Sequence, residues 1–329
     1  LKDRLLKANS QIMASSSLTE APLVRMHGKV SQQSVKEIRD RGFTVIDGFL
    51  GEARAAALRE EALTLAHSGR LPAHKFRFGQ NEFVKPHIYE ADLHDEELRM
   101  DMCEINDLFF DDGLASSLAD QMPELGLENG PKSKTVKLQH NQGGGGCFPW
   151  HYDNAGRPSR RSISCIIYLN PDWQTGDGGE LALQPFLCPE VVLPPLMDRA
   201  VLFRSDRILH RVHPSKVERL CFSIWLDGSA INRDIDCFLT SRHLSESDEA
   251  LESICKTPVQ RAVSRAVYAE EYEESLYECM AGARGCSEML SEHKEHVDKQ
   301  NIHPQLGPLV ERLRLLKNSV CANPSFDAA

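Results

Sequence analysis

The stretch RLCFSIWLD, residues 219–227, alternates between two kinds of side chain along its whole length. Successive side chains of a β-strand point to opposite faces of the sheet. In a strand, one face of this segment would carry only large apolar side chains: Leu220, Phe222, Ile224 and Leu226. The other face would carry side chains of mixed chemistry: Arg219, Cys221, Ser223 and Trp225. The segment is therefore predicted to be a strand that buries one face in an apolar core.

Five other runs of this kind precede that strand, with turn signals rich in glycine and proline between them. They are TVKLQHN (135–141), SISCIIYLN (162–170), GELALQPF (179–186), EVVLPP (190–195) and RAVLFRS (199–205). Several short strands at this spacing are typical of a β-sandwich or barrel. We therefore predict a mainly β core over about residues 135–228.

Helical patterns flank the predicted core on both sides. Before it, the predicted elements are a short helix (35–41), a strand (43–47), a helix (52–67), a long loop or hairpin (70–95) and a helix (96–122). After it, helices are predicted over 257–295 and 308–317. We expect a flexible segment over residues 1–34, one main domain over 35–232, and a helical C-terminal extension over 245–329. That extension either packs against the β core or offers a surface to a partner.

The composition predicts a soluble globular protein. Of its 329 residues, 41% are hydrophobic and 26% are charged, and the formal net charge is −10. An acidic balance argues against a general affinity for nucleic acid phosphates. No apolar run reaches the roughly 18 to 20 residues that would cross a bilayer, so no membrane partner is expected.

The ten cysteines contain no CxxC pair, and several of them lie inside apolar runs. This pattern is typical of buried free thiols rather than of a disulfide framework or a zinc knuckle. We therefore expect a reducing compartment, with a cytoplasmic or nuclear location for the protein.

The stretch GGGGCFPWHYDNAG, residues 143–156, carries the first candidate ligands. His151 and Asp153 are separated by one residue, so in an extended segment their side chains leave the same face. Two ligands rarely hold a metal, and His210 and His213 lie downstream as candidates for the third. Two histidines and one carboxylate leave coordination positions open, as in non-haem Fe(II) oxygenases, whereas zinc prefers a closed tetrahedral set.

Arg219 is the candidate anion-binding residue, because an unpaired guanidinium aimed into an apolar barrel is costly. A dicarboxylate cosubstrate would meet that need by accepting two parallel hydrogen bonds from it. Ser223 lies on the same face of the strand and would add a hydroxyl. Tyr168 shares a face with Ser164 in the run SISCIIYLN, and its phenol would reach the same carboxylate.

Taken together, these motifs resemble the prolyl-hydroxylase-type 2-oxoglutarate and Fe(II)-dependent dioxygenases. The similar segments are RGFTVIDGFL (41–50), WHYDN (150–154), SCIIYLNPDW (164–173), GDGGELAL (176–183) and FRSDRILHRVHPS (203–215). The set is most similar to the branch that hydroxylates prolines of hypoxia-inducible factor, and it covers about residues 35–230. The resemblance implies His151, Asp153 and His210 as iron ligands, with His210 preferred over His213.

The resemblance also implies the cosubstrate site. Arg219 is its carboxylate-binding residue, with Tyr168 and Ser223 beside it. Asn141 stands where this branch usually has a tyrosine that helps to hold the cosubstrate, so Asn141 is included as a candidate. The segment 70–90 does not match the substrate-binding loop of that branch, and the identity of the substrate is therefore not carried over.

From this resemblance we expect a double-stranded β-helix, or jelly roll, flanked by N-terminal helices. The expected reaction consumes O2 and 2-oxoglutarate on Fe(II), releases succinate and CO2, and hydroxylates a C–H bond. The expected activity is prolyl 4-hydroxylation of a protein or peptide, supported by ascorbate and connected with oxygen sensing.

Alternative functions are a non-catalytic scaffold on the same fold and a small-molecule hydroxylase. A nucleic-acid dealkylase of the same superfamily is disfavoured, because Trp225 stands where those enzymes usually carry a second arginine. Three local interpretations accompany these alternatives. Trp150 is predicted to be a packing residue, the glycine run 143–146 a flexible loop, and the pair His293 and His296 a solvated helix face.

Overall fold

The computed structural model describes residues 25–78, 81–230 and 238–322. The strands are β1 (Phe43–Asp47), β2 (Ala73–Phe78), β3 (Asn81–Asp92), β4 (Lys134–Asn141), β5 (Gly146–His151), β6 (Arg161–Tyr168), β7 (Leu181–Gln184), β8 (Val191–Leu193), β9 (Arg199–Arg204), β10 (Leu209–Ser215) and β11 (Arg219–Asp227). The α-helices are α1 (Gln32–Arg41), α2 (Glu52–His67), α3 (Glu96–Arg99), α4 (Cys103–Phe110), α5 (Gly113–Gln121), α6 (Asp248–Lys256), α7 (Arg261–Val267), α8 (Ala269–Met280), α9 (Cys286–Ile302) and α10 (Leu306–Ala322). In the described ranges, none of these helices has the length and apolar character that a membrane span requires.

The strands form two antiparallel sheets that face each other. The larger has the order β1-β9-β6-β11-β4-β3-β2, and the smaller has the order β5-β10-β7-β8. Two such sheets, with helices before and after them in the chain, are the predicted jelly roll, and that prediction is confirmed. The strand β11 lies at the centre of the larger sheet, between β6 and β4.

The predicted two faces of β11 are confirmed as well. The apolar face joins a core shared with the N-terminal helices, where Leu220 and Phe222 lie with Leu58 of α2 and Ile105 of α4. The opposite face points between the two sheets, where Cys221 belongs to a second apolar cluster. Alternation of side chains along one strand therefore separates the structural core from the interior in which the site lies.

The strand β5 was not among the predicted strands, because GCFPWH contains both a glycine and a proline. Pro149 lacks the N–H that a central strand needs for its ladder. β5 nevertheless forms because it lies at the edge of the smaller sheet, where it pairs with β10 alone. The pairing places His151 directly opposite His210.

The turn between β4 and β5 consists of the glycine run, which was predicted to be a flexible loop. Gly143, Gly144 and Gly145 all have positive φ angles, at 83°, 65° and 95°. Only glycine adopts such a succession without strain. A Cβ atom on Gly143 would lie 2.8 Å from the carbonyl oxygen of Lys216. The run therefore forms a defined turn in which the backbone passes close to the loop before β11.

Two predictions for the N-terminal half need correction. The flexible segment 1–34 lies mostly outside the described residues, but from residue 25 onward the chain is packed. Met26 is buried, and its N–H donates to the carboxylate of Asp111. The single helix predicted over 96–122 is divided into α3, α4 and α5, with Asp101 at a positive φ of 64° in the first break. The region 70–95 is the hairpin β2–β3.

The C-terminal extension packs against the smaller sheet, which is one of the two arrangements left open by the sequence. Trp150 of β5 and Leu209 of β10 share an apolar cluster with Val263 and Leu313 of the extension. The N–H of Trp150 also donates to Ser275 Oγ at 3.2 Å. The helices of the extension are therefore part of the same folded body as the β core, and the prediction that Trp150 is a packing residue agrees with this burial.

One pair of cysteines contradicts the prediction that all of them are free thiols. Cys147 of β5 and Cys279 of α8 form a disulfide, with their Cα atoms 5.4 Å apart. Six other cysteines of the described ranges are free, and of these Cys165 and Cys221 are buried. The two partners are 132 residues apart in the chain, so no local sequence spacing predicts their contact.

Truncation of one leucine should test whether the extension stabilises the whole protein. Leu313 has no exposed surface, and we expect Leu313→Ala to lower the free energy of unfolding by about 2–5 kcal/mol, because it leaves a cavity in the shared cluster. Leu315 lies on the same helix but is 62% exposed, so Leu315→Ala should change that free energy by less than about 0.5 kcal/mol. Urea titration followed by tryptophan fluorescence measures both values. Equal effects of the two variants would mean that α10 is not docked.

Candidate active site

Three of the predicted ligands meet where the two sheets open. His151 ends β5, Asp153 follows two residues later, and His210 lies opposite His151 on β10. The Nε2 atom of His151 lies 3.7 Å from Asp153 Oδ1, and the Nε2 atom of His210 lies 3.6 Å from Asp153 Oδ2. One ligand atom from each residue falls within 4.8 Å of the others, which is close enough for the three side chains to hold one metal ion.

The backbone fixes the orientation of both imidazole rings. His151 Nδ1 lies 2.8 Å from the carbonyl oxygen of Pro149, and His210 Nδ1 lies 3.2 Å from that of Ile208. A carbonyl only accepts, so each Nδ1 carries the proton and donates it. Each Nε2 is then left with its lone pair toward the carboxylate of Asp153. This arrangement is the one that metal-binding histidines adopt.

The electrostatics of the cluster also suit a cation. Burial and the neighbouring His210 lower the pKa of His151 below its usual range, so the ring is neutral at pH 7. Burial alone would raise the pKa of Asp153, but the two histidines and hydrogen bonds from Ser164 and Trp225 lower it. The hydroxyl of Ser164 donates to Asp153 Oδ2 at 2.6 Å. The cluster therefore offers two neutral nitrogen donors and one ionised carboxylate.

His213, the alternative third ligand, lies outside this cluster. Its Nε2 atom is 3.7 Å from Glu190 Oε1 at the edge of the smaller sheet, and about a third of the side chain is exposed. A register shift in the β10–β5 ladder follows His210, so His213 does not repeat the position of His210 relative to β5. The geometry therefore agrees with the preference for His210.

Alanine variants of the two histidines should separate them. We expect His210→Ala to weaken Fe(II) binding by more than about 100-fold, because even partners of metal ligands contribute 10- to 100-fold. His213→Ala should weaken it by less than about threefold, since its nearest ionic partner is Glu190. Anaerobic iron titration, followed by visible absorption of the complex with 2-oxoglutarate, measures the iron affinity of both variants. Equal losses would place His213 in the site.

Arg219 and Tyr168 lie farther into the interior, away from the mouth of the site. Arg219 is 2% exposed, its Nε donates to the carbonyl of Gly179 at 2.9 Å, and its guanidinium carbon lies 4.9 Å from the centre of the Tyr168 ring. In the described ranges, no carboxylate lies within 4 Å of this guanidinium. The Tyr168 hydroxyl is buried without a hydrogen bond of good geometry there, and burial raises its pKa. A buried cation without a close carboxylate, beside a buried hydroxyl, suits a bound carboxylate.

The other two cosubstrate candidates differ from each other. Ser223 is buried and lines the cavity above the cluster, between Arg219 and Trp225 along β11. Asn141 does not face that cavity. Its Nδ2 donates to the carbonyl of Gly146 at 2.8 Å, and its Oδ1 accepts from the N–H of Gly143 at 3.0 Å. Both ends of its amide therefore hold the glycine turn, and the role of Asn141 at the cosubstrate stays a prediction.

A cavity of about 530 Å³ opens above the cluster. Its floor includes His151, Asp153 and His210. One wall comes from the hairpin β2–β3 and another from the helices of the extension. The side chains that these two walls contribute were not predicted as site residues; they include His74, Phe76, Lys85, Arg261, Arg265 and Tyr272. No local motif marks them, because they reach the site only through tertiary packing.

His293 differs from its interpretation as part of a solvated helix face, whereas His296 is exposed as that interpretation expects. His293 is 2% exposed, accepts a hydrogen bond from Arg265 Nε at 3.1 Å, and donates to the carbonyl of Ala269 at 2.9 Å. His296 lines the cavity. Arg265 lines it as well, so His293 positions an arginine in the wall of the site.

Comparison with known proteins agrees with this geometry. The family described as the 2OG-Fe(II) oxygenase superfamily matches residues 136–227, which span β4 to β11. A search of curated proteins finds no match. Among solved structures, a prolyl 4-hydroxylase from Phytophthora capsici is 40% identical, with a TM-score of 0.79 over 93% of this chain and 98% of that one.

Two other solved structures match a smaller part of the chain. One is a prolyl hydroxylase from Trichoplax adhaerens in complex with a peptide fragment of the hypoxia-inducible factor oxygen degradation domain. It is 25% identical, with a TM-score of 0.47 over 59% of this chain and 87% of that one. The other is a prolyl-4-hydroxylase from Pseudomonas putida, which is 22% identical with a TM-score of 0.45 over 60% of this chain and 97% of that one.

The 40% identity extends through the β core and into the C-terminal helices, since it covers nearly the whole of both chains. The cluster of two histidines and one aspartate provides the donor set that Fe(II) requires in this family. Fe(II), 2-oxoglutarate and O2 are accordingly the cofactor and cosubstrates that the family implies. The chain belongs to the 2OG-Fe(II) oxygenase superfamily and is a 2-oxoglutarate-dependent dioxygenase.

Proposed function

We propose that this dioxygenase hydroxylates proline residues of a protein or peptide at C4, with succinate and CO2 as the coproducts. The observation that carries the proposal is the cavity of about 530 Å³ directly above the histidine and aspartate cluster. A cavity of this size is in the range that accepts an organic ligand or a side chain with its flanking backbone. The identity of 40% to a protein described as a prolyl 4-hydroxylase supports proline as the target.

In this proposal His151, Asp153 and His210 hold the iron. The two imidazoles are pre-oriented by their Nδ1 hydrogen bonds, and Ser164 holds the carboxylate of Asp153 by its hydrogen bond to Oδ2. When bound there, Fe(II) supplies the redox chemistry that joins O2 to the oxidative decarboxylation of 2-oxoglutarate. The protein would contribute a fixed set of two imidazoles and one carboxylate that lines the cavity.

Arg219, Tyr168 and Ser223 would bind the carboxylate of 2-oxoglutarate that lies away from the metal. Along β6 and β11, Ser164 and Trp225 form a cross-strand pair near Asp153, while Tyr168 and Cys221 form a pair deeper in the interior. A five-carbon dicarboxylate would lie between these two levels. Its orientation is fixed because the ionised carboxylate is drawn to the buried guanidinium rather than to the apolar walls.

The substrate would enter between the hairpin β2–β3 and the helices of the extension. Both elements line the cavity, and Tyr272 and Phe76 provide apolar surface there. Such a cleft suits an extended peptide better than a small metabolite, because two separate elements contact it from opposite sides.

The experiment that tests this function measures succinate formation by anaerobically Fe(II)-loaded protein after O2 is admitted, with and without proline-containing peptides. Succinate that rises with a peptide, together with a gain of one oxygen atom on proline, supports the proposal. Turnover stimulated by small molecules but never by peptides would favour a small-molecule hydroxylase. No turnover in folded, iron-bound protein would favour a scaffold. The dependence of the rate on O2 concentration would then test a role in oxygen sensing.

A further inference from the structure

Lys85 is a buried lysine in the wall of the substrate cavity to which the proposed reaction assigns no role. It belongs to β3, is 4% exposed, and lines the cavity. Its ammonium nitrogen lies 3.5 Å from the centre of the Phe148 ring and 5.1 Å from that of Phe76. Aromatic faces stabilise a cation only in part. When it is protonated, the amine is therefore a positive charge held away from bulk water without a full ionic partner.

The surrounding acidic groups do not supply that partner. Within the described ranges, no carboxylate lies within 4 Å of Lys85, and it makes no hydrogen bond. The acidic group that acts on it electrostatically is Glu90. Glu90 is itself held by His74 at 3.1 Å and by Lys137 at 2.6 Å. A buried ammonium without a close anion is costly, and an anion from a ligand would offset that cost.

The cavity as a whole is also lined by more basic than acidic side chains. Its lining includes six arginines and lysines but only Glu90 and Asp153 as acidic residues, in a chain whose net charge is −10. Asp153 belongs to the metal cluster, and Glu90 is engaged by two partners. The positive charge is therefore concentrated where the substrate is to bind, against the charge of the rest of the molecule. Such a cavity attracts anionic ligands.

Burial lowers the pKa of Lys85 to about 7. A carboxylate bound beside the ammonium would favour its charged form, so binding and protonation would support each other. The ring of Phe148 lies next to both Lys85 and His151, at 6.3 Å between the centres of Phe148 and His151. An anion held by Lys85 would thus be separated from the proposed iron site by the ring of Phe148.

We propose that Lys85 binds a carboxylate of the substrate, so that the enzyme selects prolines with an aspartate or glutamate close by in the sequence. This inference rests on the proposed function as a protein hydroxylase. The other source of a carboxylate is 2-oxoglutarate, for which the structure already offers Arg219 and Tyr168. The two sources predict different effects of a Lys85 variant and are separated by experiment.

The test uses short peptides with one central proline, in pairs that differ only by glutamate or glutamine at one position within three residues of it. Binding is measured by fluorescence anisotropy to the Fe(II)- and 2-oxoglutarate-loaded protein without O2, and O2 is then admitted to measure hydroxylation. We expect at least one glutamate peptide to bind better than its glutamine pair. Lys85→Met should weaken the binding of that glutamate peptide by about 10- to 100-fold. It should weaken the binding of the matching glutamine peptide by less than about threefold.

Lys75→Met is the matched control, because Lys75 lies on the same hairpin but is 62% exposed and pairs with Glu82 at 3.3 Å. Lys75→Met should leave the affinity for both peptides unchanged. Lys85→Met keeps a side chain of similar length and removes a desolvated charge, so the thermal stability of the protein should not fall. Lys85→Arg keeps the charge and provides a second variant. Iron affinity should be the same in all of them.

The outcomes distinguish this inference from the proposed function. Hydroxylation without any preference for glutamate would overturn the role of Lys85 and leave the prolyl hydroxylase intact. Loss of 2-oxoglutarate affinity in Lys85→Met, with peptide preference unchanged, would assign Lys85 to the cosubstrate and also overturn it. Preferential binding of glutamate peptides that Lys85→Met abolishes, without hydroxylation of any peptide, would support the anion site and contradict the proposed reaction.

Discussion

Asp153→Ala is expected to abolish turnover and to weaken Fe(II) binding by more than about 100-fold. Asp153 supplies the only carboxylate in the cluster with His151 and His210, and the other two ligands are neutral imidazoles. Removing it leaves a dication with no anionic protein ligand, in a site whose burial disfavours uncompensated charge. Iron content after anaerobic loading and gel filtration, together with succinate formation, measures the effect.

Two controls make that result specific. Ser164→Ala removes the hydroxyl that donates to Asp153 Oδ2 but keeps the ligand, so it should weaken iron binding by about 10- to 100-fold. Asp172 is exposed and belongs to a loop outside the cluster, and Asp172→Ala should change nothing. Full iron loading of Asp153→Ala would refute the ligand set, and the second group of histidines and glutamate, His67, His140 and Glu218, would then be examined for the metal.

Arg219→Ala is expected to raise the 2-oxoglutarate concentration needed for half-maximal turnover by at least about 100-fold. The estimate follows because a carboxylate that accepts two charge-assisted hydrogen bonds from a buried guanidinium loses both. Iron binding should remain, since Arg219 lies near Tyr168 and Cys221 rather than at the metal cluster. Succinate formation at increasing 2-oxoglutarate concentrations measures the effect.

The stability of this variant matters because Arg219 is buried and its Nε also donates to the carbonyl of Gly179. Arg219→Lys keeps the charge without the planar fork, and its cosubstrate requirement should fall between those of the wild type and the alanine variant. Arg160→Ala, on an exposed arginine that pairs with Glu128, controls for the loss of positive charge. An unchanged 2-oxoglutarate response in folded Arg219→Ala would move the anion site elsewhere.

Much of the β core was predictable because strand alternation is a local property. The pattern in residues 219–227 assigns each side chain to a face before any partner strand is known, and the structure keeps that assignment for Phe222 and Cys221. The pair His151 and Asp153 was found for a similar reason, since its two members are only one residue apart. The preference for His210 over His213 came from a family resemblance rather than from the pattern itself.

Features that depend on distant partners were not predictable. β5 contains Gly146 and Pro149, and only its edge position beside β10 makes it a strand. Asn141 was predicted to contact the cosubstrate, but both polar atoms of its amide form hydrogen bonds within the turn that follows β4. Cys147 was expected to be free, but its disulfide partner Cys279 lies on α8, 132 residues later in the chain.

The sequence by itself determined the strand pattern, the pair His151 and Asp153, and the face of β11 that carries Arg219, because each depends on residues that are close together in the chain. Tertiary structure alone decided what surrounds the metal cluster. Lys85 from the hairpin and Arg265 from the extension lie in walls of one cavity although 180 residues separate them. Their meeting depends on how apolar faces of separate elements pack around the sheets, which no local pattern encodes.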